Sequence, residues 1–517
     1  MLEAFLSGMS QLFSFGPMLG ILIVLPVALL SGLLPGGGLP VTVVVLGFVG
    51  ALDPWVALTV VVFQMAASDI TEPVPAIMLG IPGARSAQAT ILDGYPMARR
   101  GEAGIALGAS YTTTLVGGLI GAGLLTLAIP VSRFLLNQFG LAEFFLLTFF
   151  GVMAVAVVSA GAVVKGMLAG SLGIVIASIG WSATGRGVVR LDFGNDYLAE
   201  GIPLVPIVVG LFAIPEVLDL VMGDSPIATR RIETMLKESH SDVLRGMKIA
   251  FRHKWLMARS SMIGTFVAML PGVGISAAHW IAYSSARQTE KGGKESFGKG
   301  DVRGVIAADA ANNSGDGGVL IPTLFFGIPG SGGMAIVLTM LILYGFVPGP
   351  SMLSDDLDLV FALIMTIVLG NIVVVPIMLW FSGYITKAAA IPPNQLFPII
   401  IVVVTLAAYQ GTQSLADLWM TLGLAALGIF MKRYGWPRPP ILIAVVLGDL
   451  LEKYLWLSVQ AYGFSMLTRP PFLILLVAML AIVFGSMRVN KGAQKAVPIS
   501  ALNELEEGSQ SSSRGRD

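Results

Sequence analysis

The chain has 517 residues, of which 55% are hydrophobic and only 12% are charged, and its formal net charge is zero. Ordinary soluble domains carry about 25% charged residues, so a string of soluble domains is excluded, and the zero net charge gives no electrostatic basis for nucleic-acid binding. The absence of cysteine excludes disulfides, thiolate metal sites and cysteine nucleophiles.

Continuous apolar runs recur along nearly the whole chain, as expected for membrane helices, which need roughly 17–25 residues each. A β-barrel would instead alternate apolar and polar residues in short segments. The first half has runs at 17–34, 40–50 with 55–67, 103–130, 141–160, 165–181 and 202–222. The second half has runs near 256–270, 273–286, 304–346, 359–383, 396–410, 415–431, 439–462 and 470–487. They predict an all-α polytopic membrane protein with about 10–14 membrane segments.

Residues 1–16 lack the basic stretch and cleavage site of a secretory signal, so the first apolar run is expected to remain as a helix.

The distribution of polar residues predicts four regions. The regions are a first transmembrane repeat, a cytoplasmic basic linker, a second repeat with a final helix, and a disordered cytoplasmic tail. Their bounds are 1–224, 225–255, 256–487 and 488–517.

The two halves carry the same short motifs in the same order, which predicts an internal duplication. Leu-Pro-Gly at 34–36 recurs at 270–272, and Leu-Gly-Ile at 172–174 recurs at 427–429. Between these motifs, several residues match at one constant offset. They are Asp69, Pro75 and Gly80-Ile81-Pro82-Gly83 in the first half, and Asp316, Pro322 and Gly327-Ile328-Pro329-Gly330 in the second.

The loop charges predict how the two halves are oriented. Lys and Arg collect in cytoplasmic loops, and the basic linker at 225–255 carries seven of them. Counting spans from that linker puts loop 94–101 inside the cell and the equivalent loop 345–358 outside. Equivalent loops on opposite sides indicate inverted-topology repeats, which are typical of secondary transporters.

Pro-Gly motifs interrupt the apolar segments at two corresponding places in each half. Non-helical backbone at membrane depth is tolerated only where it is buried in protein or lines a water-filled cavity. Such paired interruptions indicate a transporter binding site built from re-entrant or broken helices. Freed N–H groups at helix N-termini suit a carboxylate, and freed carbonyls suit a sodium ion. The alternative is that these residues serve only helix packing and kinks.

Segment 307–318 is the richest in polar residues, and it immediately precedes an apolar run. Ionisable residues inside a membrane are costly and are functional by default, and oxygen ligands suit a hard cation. The alternative is a polar loop at the membrane edge, with Asn-Ser-Gly-Asp-Gly-Gly as a turn. The candidate ligands are Asp309, Asn312, Asn313, Ser314 and Asp316, and Asp69, which follows Ser68, holds the place of Asp316 in the first half.

Arg85 follows the first Gly-Ile-Pro-Gly motif, where its guanidinium could bind a carboxylate through two hydrogen bonds. The alternative is an arginine at a loop end whose charge reaches the membrane surface. The sequence shows no Ser/His/Asp or paired-carboxylate arrangement of the kind that an intramembrane enzyme would need, so we expect a transporter.

The motif set resembles the large membrane subunit of the tripartite tricarboxylate transporters. It comprises Leu-Pro-Gly-Gly-Gly, Gly-Ile-Pro-Gly, Asp93-Gly94-Tyr95-Pro96, Ala-Asn-Asn-Ser and Gly-Ile-Pro-Gly-Ser, and the resemblance runs from about Gly16 to Arg488. It implies a bacterial inner-membrane importer of citrate or related organic anions, driven by a cation gradient, commonly sodium. It also implies two partners, a small four-helix membrane subunit and a periplasmic solute-binding protein, and no organic cofactor.

Carried over by position, the resemblance implies contacts to substrate or ion at the Pro-Gly tips. In the second half, Gly332 occupies the place that matches Arg85, so backbone amides are expected to do more of the anion binding. The implied ion ligands are Ser68, Asp69, Asn312, Asn313, Ser314 and Asp316. The implied substrate contacts are Pro35, Gly36, Gly37, Gly83, Arg85, Ser86, Pro271, Gly272, Pro329, Gly330 and Ser331.

Three other functions remain open on the sequence. A passive anion channel would also need broken helices and buried polar residues. A membrane-embedded enzyme is disfavoured because its catalytic residues are missing. A carrier that acts without a binding protein would share all the membrane features described above.

Overall fold

The fold is seen in a computed structural model. It describes residues 1–33, 38–49, 52–81, 87–136, 138–158, 163–182, 187–215, 218, 240–270, 274–388, 401–402, 405–406, 408–409 and 414–481.

Helices make up nearly all of the described first half. They are α1 (Leu2–Leu12), α2 (Phe15–Leu33), α3 (Gly38–Val49), α4 (Pro54–Thr71), α5 (Pro73–Leu79), α6 (Gln88–Arg99), α7 (Ala103–Leu136), α8 (Leu141–Val158), α9 (Val163–Ala177), α10 (Asp196–Ala199) and α11 (Leu204–Val208). A π-helical turn at Val209–Ala213 continues α11. Two short strands, β1 (Gly180–Trp181) and β2 (Val189–Arg190), pair antiparallel.

The described second half is helical throughout. Its helices are α12 (His240–Arg252), α13 (Lys254–Ala268), α14 (Gly274–Thr289), α15 (Gly293–Ser296), α16 (Val302–Phe326), α17 (Gly332–Leu343), α18 (Pro350–Ser354), α19 (Leu357–Ala388), α20 (Leu415–Arg433), α21 (Pro439–Tyr462) and α22 (Pro470–Ala481). A 3₁₀ turn at Gly463–Thr468 joins the last two. The all-α prediction is therefore confirmed.

Several of these helices are long and apolar enough to cross a membrane. Five qualify singly in the described part of the chain, and α21 with α22 makes a sixth if that pair, bent by 71°, is one span. Large apolar side chains such as Phe15, Leu22 and Leu127 are largely exposed, as a lipid-facing surface requires. The protein is thus a multi-pass membrane protein, and the total of about 10–14 segments stays a prediction. The five single helices are Phe15–Leu33, Pro54–Leu79, Ala103–Leu136, Leu357–Phe381 and Leu415–Arg433.

Helix α16 settles one alternative left open by the sequence. Residues 302–326 form one continuous helix, and nearly all of its side chains are buried. The interpretation of residues 313–318 as a turn at the membrane edge is therefore wrong. The apolar run at 304–346 is divided instead between α16 and α17, which are separated by the Gly-Ile-Pro-Gly-Ser motif.

Local sequence signals explain where the duplicated helices begin and end. Asp53 caps α4 by accepting the Trp55 N–H at 2.9 Å, and Asp301 caps α16 by accepting the Arg303 N–H at 2.9 Å. At the other end, Gly80 and Gly327 adopt left-handed backbone with φ of 68° and 66°. Glycine adopts this conformation without steric cost, so the first residue of each Gly-Ile-Pro-Gly motif ends its helix.

The helix packing repeats between the halves. α2 packs on α4 as α13 packs on α16, and α1 packs on α19 as α12 packs on α7. Gly8 on α1 lies directly against the backbone of Asp358 and Ala362, and Gly246 on α12 lies in the same way against Ile105 and Ala109. Ile105 therefore corresponds to Asp358, and Ala109 to Ala362.

The two halves are interlocked and do not lie side by side. The first-half helix α4 packs on α19 of the second half, and the second-half helix α16 packs on α7 of the first half. α4 and α16 thus occupy equivalent central positions. The sequence analysis did not identify α1 as a helix, nor α12, which lies within the predicted basic linker.

Candidate functional site

Three carboxyl groups from the two central helices meet in the interior. Asp69 on α4 lies beside both Asp316 on α16 and Glu72, which caps the C-terminus of α4. Glu72 is 3% exposed and Asp316 5% exposed. Neighbouring carboxylates repel each other strongly unless a proton or a cation lies between them. This cluster, called the carboxyl cluster below, therefore attracts positive charge, either a shared proton or a cation.

Unpaired oxygens next to the cluster support that interpretation. Ser68 Oγ is buried without a hydrogen-bond partner, and the buried Asp316 Oδ2 has none beyond the contact with Asp69. Buried polar atoms are normally paired, so each exception needs a reason. A cation with oxygen ligands would supply one.

Helix N-termini from both halves border the cluster. Gly38, the first residue of α3, lies against Ser68 and Glu72, because a Cβ placed on it would lie 3.4 Å from Ser68 Oγ and 3.5 Å from Glu72 Oε1. Ile275, near the start of α14, packs against Gly315, the neighbour of Asp316. The positive end of a helix attracts anions.

A third N-terminus belongs to α17. Its cap, Ser331, accepts the Met334 N–H at 3.2 Å. Gly333 lies directly against Met65, one turn before Asp69 on α4. Gly330 packs on Val319. The Gly330 carbonyl oxygen faces Gly274, since it would lie 3.2 Å from a Cβ placed on that glycine. The Gly-Ile-Pro-Gly-Ser tip therefore lies within a turn of both aspartates.

The structure thus brings together some of the sequence-predicted residues. Ser68, Asp69 and Asp316 lie in the cluster, and Gly330 and Ser331 lie next to it, with Pro329 in the same tip. Eight further candidates lie outside the described residues: Pro35, Gly36, Gly37, Gly83, Arg85, Ser86, Pro271 and Gly272.

Asn313 and Ser314 take part in helix packing. The Asn313 amide donates to the Thr114 carbonyl at 2.7 Å and to Asn371 Oδ1 at 2.6 Å. The Ser314 hydroxyl donates to the Ser261 carbonyl at 2.8 Å. Asn312 is also buried, and its Oδ1 has no partner. These contacts hold α16 against its neighbours, so the predicted ligand roles of Asn313 and Ser314 compete with packing roles.

Sequence reasoning missed Glu72. The signal was present, because an acidic residue stands within an apolar stretch only three positions after Asp69. Its counterpart in the second half is Val319, which lies three positions after Asp316. A search for matched pairs across the two halves could not find a carboxylate that occurs in one half only.

The Asp93-Gly94-Tyr95-Pro96 motif has a different role. Asp93 accepts the backbone N–H groups of Gly298, Gly300 and Asp301 at 2.8–2.9 Å and the Tyr283 hydroxyl at 2.8 Å. Asp93 is on α6, and the loop that it binds leads into α16. The motif therefore fixes the start of the helix that carries Asp316.

Asp301 completes this connection. Burial opposes its ionisation, but hydrogen bonds from Arg303 and Ser296 hold the pKa of Asp301 below its ordinary value. The Arg303–Asp301 ion pair, at 2.6 Å, is mostly buried. A charged cap thus stabilises the N-terminus of α16.

Comparisons with known proteins identify a transporter family. The sequence profile of the tripartite tricarboxylate transporter TctA family matches residues 18–443. A protein of Agrobacterium vitis, described as an uncharacterized 52.8 kDa protein in the TAR-I ttuC′ 3′ region, is 29% identical over 430 residues, which cover 82% of this chain and 84% of the relative. A second protein of that organism, described as lying in the TAR-II ttuC′ 3′ region, is 32% identical over 192 residues, which cover 37% of this chain and 79% of the relative. No solved structure matches the chain.

Proposed function

Because the chain belongs to the tripartite tricarboxylate transporter TctA family, we propose that it is the permease of a secondary importer for tricarboxylates or related organic anions, coupled to a cation gradient. The cation is sodium. The observation that carries this proposal is the carboxyl cluster of Asp69, Glu72 and Asp316, which lies in the interior next to the described Gly-Ile-Pro-Gly-Ser tip.

The cation binds at the carboxyl cluster. Asp316 Oδ2 and Ser68 Oγ are oxygen ligands without another partner, and hard cations prefer oxygen ligands. A bound cation removes the repulsion between Asp69 and Asp316. The site therefore favours the loaded state over the empty one.

The anion binds at the helix N-termini that border the cluster. The starts of α14 and α17 present backbone N–H groups, and Ser331 adds a hydroxyl. Three acidic side chains nearby would repel a carboxylate if they were unneutralised. A cation at the cluster removes that repulsion, so cation and anion bind cooperatively, and this cooperativity couples uptake to the gradient.

Transport follows an elevator-type motion of two inverted repeats. The unit with the Pro-Gly tips and the two central helices moves against a more static scaffold, which exposes the site to alternate sides of the membrane. A solute-binding protein in the periplasm delivers the anion, and a small four-helix membrane subunit completes the complex. The chain resides in a bacterial inner membrane with its C-terminus in the cytoplasm.

Uptake in cells tests the proposal. Labelled citrate and a panel of other carboxylates would be offered to cells that express this chain with its two partners, in sodium and in potassium buffer. We expect accumulation above the outside concentration in sodium only, and its loss in Asp316→Asn. Asp355→Asn is the matched control, because Asp355 lies exposed in a loop.

Two outcomes would contradict parts of the proposal. Uptake that only equilibrates in either buffer would indicate a passive channel. Sodium-driven accumulation that persists without the binding protein would indicate a carrier that acts alone.

The elevator motion has its own test, because the chain contains no native cysteine. Ser331→Cys would be the only thiol, and a membrane-impermeant maleimide reports its exposure. We expect the labelling rate to change several-fold when sodium and substrate are added together. An unchanged rate, with Ser354→Cys as the exposed control, would refute a moving tip.

A further inference from the structure

A second buried polar cluster lies on α16, away from the carboxyl cluster. Asp309 is 1% exposed and stands seven residues before Asp316. At 1.5 Å per residue, the two aspartates are about 10 Å apart along the helix. They are therefore separate sites on one element.

The surroundings of Asp309 are hydroxyl groups. Thr90 on α6 donates to Asp309 Oδ1, and Ser110 on α7 lies beside the same carboxyl group. Thr90 and Ser110 are both fully buried. The polar contacts to Asp309 thus come from the first half of the chain.

Several oxygens here have no partner. Asp309 Oδ2 and Ser110 Oγ are buried with no partner beyond the contact between these two residues, and Asn312 Oδ1 and Thr113 Oγ1, one turn further along the same two helices, are buried and unpaired. An isolated carboxylate is costly to bury. A positive charge is needed to balance the Asp309 carboxylate, and the oxygens around it are the ligands that a hard cation prefers.

The duplication provides an internal control on whether the fold itself needs these polar groups. Asp309 lies seven residues before Asp316, so its equivalent is Val62, seven residues before Asp69. Thr90 lies seven residues after Gly83, so its equivalent is Val337, seven residues after Gly330. Ser110 follows Ala109, so its equivalent is Leu363, which follows Ala362. Val62, Val337 and Leu363 are all buried in the apolar core.

The same helix packing is therefore satisfied by three apolar side chains around α4 and by an acid with two hydroxyls around α16. Packing alone does not explain the polar set. We infer that Asp309, Thr90 and Ser110 form a second sodium site, distinct from the carboxyl cluster, so that each chain binds two sodium ions. This inference rests on the proposed function for the identity of the cation.

Sodium binding to the purified full-length chain tests the inference directly. Binding of ²²Na⁺ would be measured at equilibrium in detergent, with excess unlabelled potassium present. We expect two sodium ions per wild-type chain, one in Asp309→Asn, one in Asp316→Asn and none in the double variant. A monodisperse profile in size-exclusion chromatography shows that each variant is folded.

A milder pair of variants covers the case in which Asp309→Asn does not fold. Ser110→Ala removes one ligand and should weaken one of the two binding events at least several-fold. Thr112→Val is its matched control on the same helix, since the Thr112 hydroxyl is already bonded to the Gly108 carbonyl at 2.8 Å. It should bind sodium as the wild type does.

The outcomes separate the two proposals. Wild-type binding that is unaffected by Asp309→Asn and by Ser110→Ala would overturn the second site, and Asp309 would then carry a proton. Binding that is unaffected by Asp316→Asn but halved by Asp309→Asn would overturn the carboxyl cluster as the coupling site and leave the second site standing.

Discussion

The two central helices, α4 and α16, share a position in the fold but not a set of polar residues. Both carry an aspartate at the equivalent place, Asp69 and Asp316. Beyond that pair, Glu72 corresponds to the apolar Val319, and Asp309 corresponds to the apolar Val62. All four of these unshared side chains are buried.

This difference shows which polar residues the backbone requires. A position that is apolar in one half proves that the packing there can be satisfied without charge. An acid at the matching position of the other half is then an added cost, and function is the reason to keep it. The duplicated fold thus separates structural from functional residues without reference to any other protein.

Glu72→Val should have the largest effect on uptake. The substitution reproduces what the second half carries at Val319, so the fold should tolerate it, while the cluster loses one carboxyl group. We expect the initial rate of sodium-driven uptake to fall at least tenfold, measured at fixed sodium in cells with matched expression. Val319→Ala, which changes only packing, is the control, and a Glu72→Val variant with normal uptake would remove Glu72 from the site.

Gly264→Ala should disturb folding more than transport chemistry. Gly264 on α13 lies directly against Ala311 and Ser314 of α16, so a methyl group there would overlap them. The equivalent residue on α2 is Ala28, six positions before Leu34 as Gly264 is before Leu270, so the first half has room for that methyl. We expect a loss of about 1–3 kcal/mol, seen as a lower melting temperature of the purified protein.

Gly123→Ala is the control for that prediction. Gly123 is on the exposed face of α7, and nothing lies within 4 Å of a Cβ placed there. Alanine is a better helix former than glycine by roughly 0.5–1 kcal/mol, so the melting temperature of the Gly123→Ala variant should not fall. Equal destabilisation by both substitutions would mean that the close approach of α13 to α16 is not tight.

The caps of the two central helices should differ slightly. Asp53 accepts one backbone N–H, whereas Asp301 also binds Arg303 and Ser296. Asp301→Asn should therefore lower the melting temperature more than Asp53→Asn does.

The acid dependence of this effect has a defined sign. Since the folded-state pKa of Asp301 is below its unfolded value, its stabilisation is complete above the ordinary carboxyl pKa of about 4 and is lost as pH falls through the folded value. The difference in melting temperature between wild type and Asp301→Asn should thus close on acidification from pH 7 towards pH 3. A difference that widens would show that ionised Asp301 does not stabilise the fold.

Much of the architecture could be predicted from the sequence. Continuous apolar runs determined the helical membrane class, because a bilayer offers backbone groups no partner outside the chain. Matched motifs predicted interruptions of the apolar segments, and in the structure helices end at Gly80 and Gly327, because left-handed backbone at a helix end favours glycine. Asp69 and Asp316 were identified as equivalent candidate ion ligands because they stand at one offset in both halves.

Contacts between the helices that lie apart in the sequence depend on the packing of the whole fold. Pairing across the halves, α16 with α6 and α7, brings Thr90 and Ser110 to Asp309, although they are far apart in the chain. The packing also buries Glu72 beside Asp69. Local pattern identified most of the apolar helices and the matching motifs of the two halves, but it did not identify α1 and α12. Only the packed structure determines which unmatched polar side chains meet, because contacts between distant helices depend on how the two halves interlock.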